Sequence, residues 1–167
     1  MSVEHHRAAG SKSVGCAVMT VSDTRTPDTD TGGRAVVDLL HAAGHIVLDH
    51  QLVPDAAAAI RNAITQWTKR DDVQAIITTG GTGIARRDGT FDALGDLFER
   101  TVPGFGELFR ALSFQEIGAA AMLSRAEAGV IGGRIVFLLP GSEPAVRLAM
   151  TQLIVPELAH AVGELRK

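Results

Sequence analysis

The chain contains no tyrosine, a single cysteine and only three lysines among its 167 residues. One cysteine, Cys16, excludes a disulfide within the chain and a zinc site built from several cysteines. The absence of tyrosine argues against the short-chain dehydrogenases, which need a catalytic tyrosine. The formal net charge of −3 leaves no basic surplus to neutralise a nucleic-acid backbone. We therefore expect no nucleic-acid partner.

Long apolar runs are also missing. No stretch reaches the roughly 18 apolar residues of a membrane span, and the first residues contain no apolar run typical of a signal peptide. We therefore expect a cytoplasmic protein without a membrane partner. Apolar residues still make up 46% of the chain, which is enough for a core in one domain. The sequence predicts a flexible tail over residues 1–13 and a single domain over residues 14–167.

Short apolar runs alternate with helical patterns along this domain. The apolar runs at 14–21 and 73–79 predict buried strands, the run at 45–53 has strand composition, and the run at 134–139 predicts another apolar strand. The first helix is predicted to start at 32–33 and to stop at Gly44, and the next to start at Asp55, as its cap or first-turn residue. Two further helices are predicted over 91–100 and 104–117. The last helix is predicted to start at Glu143 and to be interrupted near Pro156. The alternation predicts an α/β fold, with a mostly parallel sheet covered by helices on both faces as in Rossmann-like three-layer proteins.

The residues that follow the predicted strands are the candidates for ligand binding, because ligands of parallel sheets bind outside the carboxyl ends of the strands. Glycine lets a backbone approach a ligand closely, and successive N–H groups can then bind phosphate oxygens. The alternative is that these glycines only make tight turns. The candidate binding residues are Ser22, Asp23, Thr24, Gly32, Gly80, Gly81, Thr82, Gly83, Pro140, Gly141 and Ser142.

Two aspartates and one arginine extend this candidate site. Asp55 follows the second strand and Asp88 follows the glycine-rich loop. One or two carboxylates are the usual protein ligands of a magnesium ion that is bound to substrate phosphates, so both are candidates for that role. Asp55 could instead be an ordinary helix cap, and Asp88 a turn residue in an Asp-Gly pair. Arg86 is a candidate partner for phosphate oxygens.

The glycine-rich loop is neither a dinucleotide fingerprint nor a Walker loop. Residues 79–85 (TGGTGIA) resemble a dinucleotide fingerprint superficially, but that motif should follow the first strand, and this loop follows the third. A Walker loop needs lysine directly after its last glycine, whereas Gly83 is followed by Ile84.

An ordered set of short motifs extends over nearly the whole chain after the tail. The set comprises residues 21–24 (VSDT), 53–55 (VPD), 79–83 (TGGTG), 86–88 (RRD), 103–107 (PGFGE), 112–114 (LSF), 123–126 (LSRA) and 139–142 (LPGS). This set resembles the MoaB/Mog family of molybdenum-cofactor biosynthesis proteins, and the helix GFGELFRALSFQEIG is similar to the MoaB branch.

The resemblance implies a molybdopterin-binding fold and the adenylylation of molybdopterin by MgATP, which gives adenylyl-molybdopterin and pyrophosphate. It implies Asp55 and Asp88 as the catalytic, magnesium-binding carboxylates. It also implies a MoeA-like molybdate-insertion protein as the partner that uses the product, and a homo-trimer or homo-hexamer. Some family members bind without catalysing, so a non-catalytic molybdopterin-binding or carrier protein is the alternative. The family commonly has Val-Thr-Pro after the second aspartate, where this chain has Gly89-Thr90-Phe91.

Overall fold

The structure is a computed structural model and describes residues 13–167, so the predicted tail lies outside the described residues except for its last residue. Six strands form one sheet in the order β2-β1-β3-β6-β5-β4. They are β1 (Gly15–Val21), β2 (Ile46–Val53), β3 (Ala75–Thr79), β4 (Arg100–Thr101), β5 (Glu127–Ile131) and β6 (Arg134–Leu139). Strands β2, β1, β3 and β6 are parallel, which confirms the mostly parallel sheet.

Helices cover both faces of this sheet, as predicted. They are α1 (Thr31–Ala42), α2 (Ala57–Thr68), α3 (Thr90–Leu94), α4 (Pro103–Ile117), α5 (Glu143–Ala149) and α6 (Val155–Glu164). One core packs α1, α4, α5 and α6 against the sheet, through residues such as Leu40, Phe109 and Leu158. The second core packs α2 and α3 against the other face, through Ile64, Trp67 and Leu94. The sheet is therefore the middle of three layers.

The antiparallel edge of the sheet was not predicted. Strands β5 and β6 form a hairpin, and the two-residue β4 pairs with β5. The hairpin turns at Gly132 and Gly133, which both have positive φ (55° and 74°). Two consecutive positive φ values are what a tight hairpin turn requires, and glycine adopts them without steric penalty. The Gly-Gly pair between two apolar runs was the signal in the sequence for this hairpin.

The helix predicted over 91–100 is wrong in its second half. Helix α3 ends at Leu94, a 3₁₀ turn covers Gly95–Leu97, and Arg100 belongs to β4. The chain leaves the helix because the backbone of residues 99–102 pairs with β5: Glu99 N–H donates to Val130 and Val102 N–H to Ala128. Pairing with a distant strand outweighs local helix propensity here.

The predicted interruption of the last helix is confirmed. A π-helical turn over Met150–Ile154 separates α5 from α6, and Pro156 lies in the first turn of α6. Proline has no N–H and its ring collides with the preceding turn of an α-helix, so a wider turn before Pro156 relieves both problems. No helix within residues 13–167 is long and apolar enough to cross a membrane.

Candidate functional site

The candidate site lies where the strand order reverses. The chain passes from β1 outward to β2 and then returns to β3 on the other side of β1, so the loops after β1 and β3 diverge at this point. Such switch points form the crevice that binds ligands in open α/β sheets. The loop after β1 begins at Ser22 and the loop after β3 begins at Gly80. The two loops start close together, because a Cβ added at Gly80 would overlap the carbonyl oxygen of Val21, the last residue of β1.

Three of the predicted glycines meet beside this crevice. Gly80 N–H donates to the carbonyl of Leu139 at 2.9 Å, which joins the loops after β3 and β6. A Cβ at Gly141 would lie 3.3 Å from the Gly80 Cα, and a Cβ at Gly32 would lie 3.0 Å from the Gly141 carbonyl oxygen. The three loops therefore converge with the start of α1, and a side chain at any of these glycines would be tightly confined.

The conformation of the glycine-rich loop depends on positive φ angles at Gly80 (92°) and Gly81 (69°). Thr90, the first residue of α3, stabilises this turn with two hydrogen bonds. Its hydroxyl donates to the Gly80 carbonyl at 2.9 Å, and its N–H donates to the Gly81 carbonyl at 3.1 Å. Thr90 is fully buried, and so is the neighbouring Thr82, which is 2% exposed. The first residues of the loop are therefore rigidly held.

Asp88 closes the same loop. Its Oδ2 accepts the Ala85 N–H at 2.8 Å. A Cβ at Gly83 would lie only 2.6 Å from that oxygen, so the carboxylate lies directly against the glycine-rich segment. The turn interpretation of Asp88 and the ligand interpretation are compatible, because one oxygen makes the turn.

Asp55 is not the cap of the helix that follows it. The N-cap of α2 is Ala56, and no side chain caps this helix. The Asp55 Oδ1 instead accepts the Gly89 N–H at 3.2 Å, across the crevice from its own strand. A Cβ at Gly81 would lie 3.2 Å from the other Asp55 carboxylate oxygen. Two carboxylates thus lie beside the glycine-rich loop, Asp55 near Gly81 and Asp88 near Gly83.

Burial raises the pKa of the Asp55 carboxyl above its ordinary value, and the negative charges of Asp23 and Asp88 add to that effect. The hydrogen bond from Gly89 and the positive charge of Arg87 oppose it in part. Like charges raise the pKa of a carboxyl because they disfavour its ionised form. The Asp55 carboxyl therefore lies close to two further carboxylates, Asp23 and Asp88, and to the guanidinium of Arg87.

The loop after β1 contributes polar groups to the same edge. The Ser22 hydroxyl oxygen accepts the N–H groups of Thr24 (3.2 Å) and Arg25 (3.1 Å). Asp23 accepts the Asp55 N–H at 3.2 Å and pairs with the guanidinium of Arg87. Asp23 therefore links the loop after β1 to both the Asp55 segment and the glycine-rich loop.

The remaining predicted residues lie at the rim of the crevice. Arg86 is exposed, next to the paired Arg87. Ser142 is the N-cap residue of α5, and its hydroxyl makes no cap hydrogen bond. Pro140 and Gly141, which separate β6 from Ser142, are partly buried.

The sequence did not reveal a polar cluster at the start of α1, formed by Asp30, Thr20 and His50. Asp30 is 2% exposed and caps α1, its Oδ1 accepting the Gly33 N–H at 2.9 Å. Its Oδ2 accepts the Thr20 hydroxyl at 2.7 Å and lies 3.2 Å from His50 Nε2. A Cβ at Gly33 would overlap this cluster. The signal in the sequence was an aspartate two residues before the start of the first predicted helix, because aspartate is a preferred N-cap residue.

Asp55 and Asp88 are the residues of this site that could hold a magnesium ion bound to substrate phosphates. Within residues 13–167, no three histidine, cysteine, aspartate or glutamate side chains are arranged to hold a metal ion by themselves. Magnesium bound to phosphates needs only one or two protein carboxylates, with water and phosphate oxygens filling the other positions. Two carboxylates beside the glycine-rich loop match that number of protein ligands.

Comparison with known proteins shows the family to which the chain belongs. Residues 17–160 match the family model described as "Probable molybdopterin binding domain". The chain is 51% identical to Molybdenum cofactor biosynthesis protein B of Halalkalibacterium halodurans, over 100% of this chain and 99% of that protein.

Solved structures give the same relationship. A crystal structure of Molybdenum cofactor biosynthesis protein B is 47% identical with a TM-score of 0.89, and the match covers 93% of this chain and 97% of that one. The tungsten cofactor synthesizing protein MoaB from Pyrococcus furiosus is 35% identical with a TM-score of 0.84, and the match covers 93% and 99%.

Proposed function

Because the chain belongs to the family of the probable molybdopterin binding domain, we propose that it adenylylates molybdopterin with MgATP in molybdenum cofactor biosynthesis. The observation that carries the catalytic part of this proposal is the pair of carboxylates on the glycine-rich loop. Asp55 approaches Gly81 and Asp88 approaches Gly83. Each carboxylate accepts one loop N–H, but two acidic groups repel anionic ligands unless a cation lies between them, which favours catalysis with magnesium over binding alone.

In the proposed reaction, an oxygen of the terminal phosphate of molybdopterin attacks the α-phosphorus of ATP. A new phosphoanhydride bond forms, the bond from the α-phosphorus to the bridging oxygen breaks, and pyrophosphate leaves with that electron pair. No general base is needed, because a phosphate nucleophile is already ionised at neutral pH. The protein therefore contributes through positioning and charge neutralisation.

The loops supply donors for the two anionic reactants. Backbone N–H groups of Gly81–Gly83, with the Ser142 hydroxyl and that of the buried Thr82, are the proposed partners of phosphate and pterin oxygens. Gly32 and Gly141 let the backbone come close to these ligands. Arg86 offsets negative charge at the rim. Asp55 and Asp88 would hold magnesium on the ATP phosphates, where it neutralises charge that develops on the leaving group.

The test is product formation from purified protein, molybdopterin and MgATP, read as adenylyl-molybdopterin by chromatography. We expect product with magnesium and none when magnesium is chelated. The Asp88→Asn variant should retain the fold and bind pterin nearly as well, while adenylylation falls by at least ~100-fold, the scale of one lost electrostatic element. Asp71→Asn is the matched control, because Asp71 is exposed and precedes β3, at the end of the parallel strands opposite to the candidate site.

Two results would contradict the proposal in different ways. Unchanged turnover in Asp88→Asn would remove the magnesium role of this residue. No product from the unmodified chain, with tight pterin binding retained, would identify a carrier and reject catalysis.

We further propose that the chain assembles into a homo-trimer or homo-hexamer and passes its product to a MoeA-like insertion protein. Exposed apolar side chains on α4 and the following 3₁₀ segment support self-association: Phe114 is 61% exposed and Met122 is 76% exposed. Both line one surface depression together with Ala111 and Ala119. Contiguous exposed apolar surface of this kind is typical of protein interfaces. Light scattering coupled to size exclusion tests the assembly, and a monomer would reject it.

A further inference from the structure

Arg125 lies just before β5 and contacts the glycine-rich loop with its main chain and its side chain. Its N–H donates to the Thr82 carbonyl at 2.8 Å. Its Nε donates to the Gly83 carbonyl at 2.9 Å, and its Nη2 donates to the Asp88 carbonyl at 2.6 Å. One residue thus binds both ends of the loop segment 82–88.

Two further contacts hold the guanidinium itself in place. Its Nη1 donates to both carboxylate oxygens of Asp92, at 3.0 and 3.1 Å. Its central carbon lies 5.4 Å from the centre of the Phe91 ring. Asp92 and Phe91 both belong to α3, which also carries the Thr90 that supports the turn at Gly80. Arg125 is therefore fixed against the helix and holds the loop from that fixed position.

The direction of these hydrogen bonds has a consequence for the amide groups of the loop. In a planar trans peptide, the C=O of one residue and the N–H of the next point in opposite directions. The carbonyls of Thr82 and Gly83 point to Arg125, and the described backbone contains no cis peptide. The N–H groups of Gly83 and Ile84 therefore point away from Arg125. Arg125 sets which way these two donors face.

We propose that Arg125 is a positioning residue that orients the phosphate-binding amides of the loop and fixes Asp88 relative to them. This inference rests on the proposed function, in which those amides bind phosphate and Asp88 holds magnesium. Arginine suits the role because its planar fork provides several donors in fixed directions, whereas lysine provides a single flexible ammonium group. A misplacement of about 1 Å in such a site can lower turnover by about 100-fold.

The chain contains a matched control at the other end of the sheet. Arg134, at the start of β6, donates to the carbonyls of Arg70, Val73 and Gly132. The variants Arg125→Lys and Arg134→Lys thus each break a set of guanidinium–carbonyl hydrogen bonds, and only the first set lies at the candidate site. A general loss of stability would affect both variants alike.

The experiment compares these two variants with the unmodified chain in amide hydrogen exchange, MgATP binding and adenylylation kinetics. In Arg125→Lys we expect exchange of the amides in 82–89 to rise by about 10-fold or more while the sheet amides keep their protection. We expect kcat to fall by about 10- to 100-fold, with a weaker dependence on magnesium. Arg134→Lys should leave the loop exchange and the kcat at the level of the unmodified chain.

Loop exchange that is unchanged in Arg125→Lys would overturn the inference, and so would equal losses of kcat in the two variants. The exchange and binding measurements need no turnover, so they separate this inference from the proposed function. If the unmodified chain makes no adenylyl-molybdopterin, the proposed catalysis fails. The positioning role then stands or falls on whether Arg125→Lys, and not Arg134→Lys, loosens the loop and weakens MgATP binding.

Discussion

Replacing Gly81 by alanine tests whether the glycine-rich loop is built for close contact. Gly81 has a φ of +69°, and its missing side chain leaves room for Thr90 and Asp55. A Cβ there would overlap the Thr90 hydroxyl and come within 3.2 Å of the Asp55 carboxylate. The Thr90 hydroxyl would have to move, and its 2.9 Å hydrogen bond to the Gly80 carbonyl would be lost.

A second glycine, Gly44, separates the cost of the steric overlap at Gly81 from the cost of a positive φ angle in alanine. Gly44 has a φ of +81° and no atom within 4 Å of a Cβ placed on it, because it ends α1 in a Schellman turn on the surface. Alanine in this conformation costs roughly 1–2 kcal/mol at either position. That penalty is the same in Gly81→Ala and Gly44→Ala and cancels when they are compared. The lost Thr90 hydrogen bond then leaves a difference of about 0.5–1.5 kcal/mol between their free energies of unfolding. We expect Gly81→Ala to be less stable than Gly44→Ala by at least that amount.

Urea unfolding at equal protein concentration measures the difference, provided that both variants have the same m value. Molybdopterin binding is measured on the same samples. We expect binding to be lost in Gly81→Ala and retained in Gly44→Ala, because only Gly81 lies at the candidate site. Equal losses of stability, together with unchanged binding in Gly81→Ala, would refute the reasoning from close contact.

Two further predictions concern aspartates with opposite effects on stability. Asp30→Ala removes the α1 cap and the carboxylate that accepts the buried Thr20 hydroxyl. Urea unfolding should therefore show a free energy of unfolding that is lower by about 2–4 kcal/mol. Asp28→Ala is the control: Asp28 is exposed, so its replacement should change that free energy by less than about 0.5 kcal/mol. Asp55→Asn should stabilise the ligand-free protein at neutral pH, because burial raises the pKa of Asp55 and its ionised form is unfavourable in the folded state. That gain should vanish as the pH falls below the ordinary value of 3.8, and a gain independent of pH would contradict this explanation.

The parallel part of the fold could be predicted from the sequence because its information is local. Each buried strand is a continuous apolar run, and the helices show their periodicity within a dozen residues. The antiparallel edge depends on distant pairing instead. Arg100 and Thr101 carry no strand pattern of their own, and they become a strand only because they pair with Val130 and Gly129. A pattern read along the chain cannot detect that contact.

The candidate site also has a part that could be predicted from local sequence and a part that depends on distant contacts. Its glycines could be located because they follow predicted strands, and the structure brings Gly32, Gly80 and Gly141 together. The supporting residues could not be found, because their partners are remote in sequence. Arg125 reaches the loop carbonyls across 37 and 42 residues, and the Asp55 carboxylate accepts an N–H 34 residues away. The same distance explains why Asp55 was also open to interpretation as a helix cap.

The charges of the aspartates distinguish those that hold the fold from those at the candidate site. Hydrogen bonds from Arg70 and Arg61 lower the pKa values of Asp72 and Asp96, so these ionised carboxylates favour the folded state. The pKa of Asp55 shifts in the opposite direction, because this partly buried carboxyl is desolvated and lies near Asp23 and Asp88. The hydrogen bond from the Gly89 N–H holds the carboxylate in place, while the two neighbouring negative charges make its ionised form less favourable. A cation bound together with an anionic ligand would offset those charges, which is the arrangement that the proposed function requires of Asp55 and Asp88.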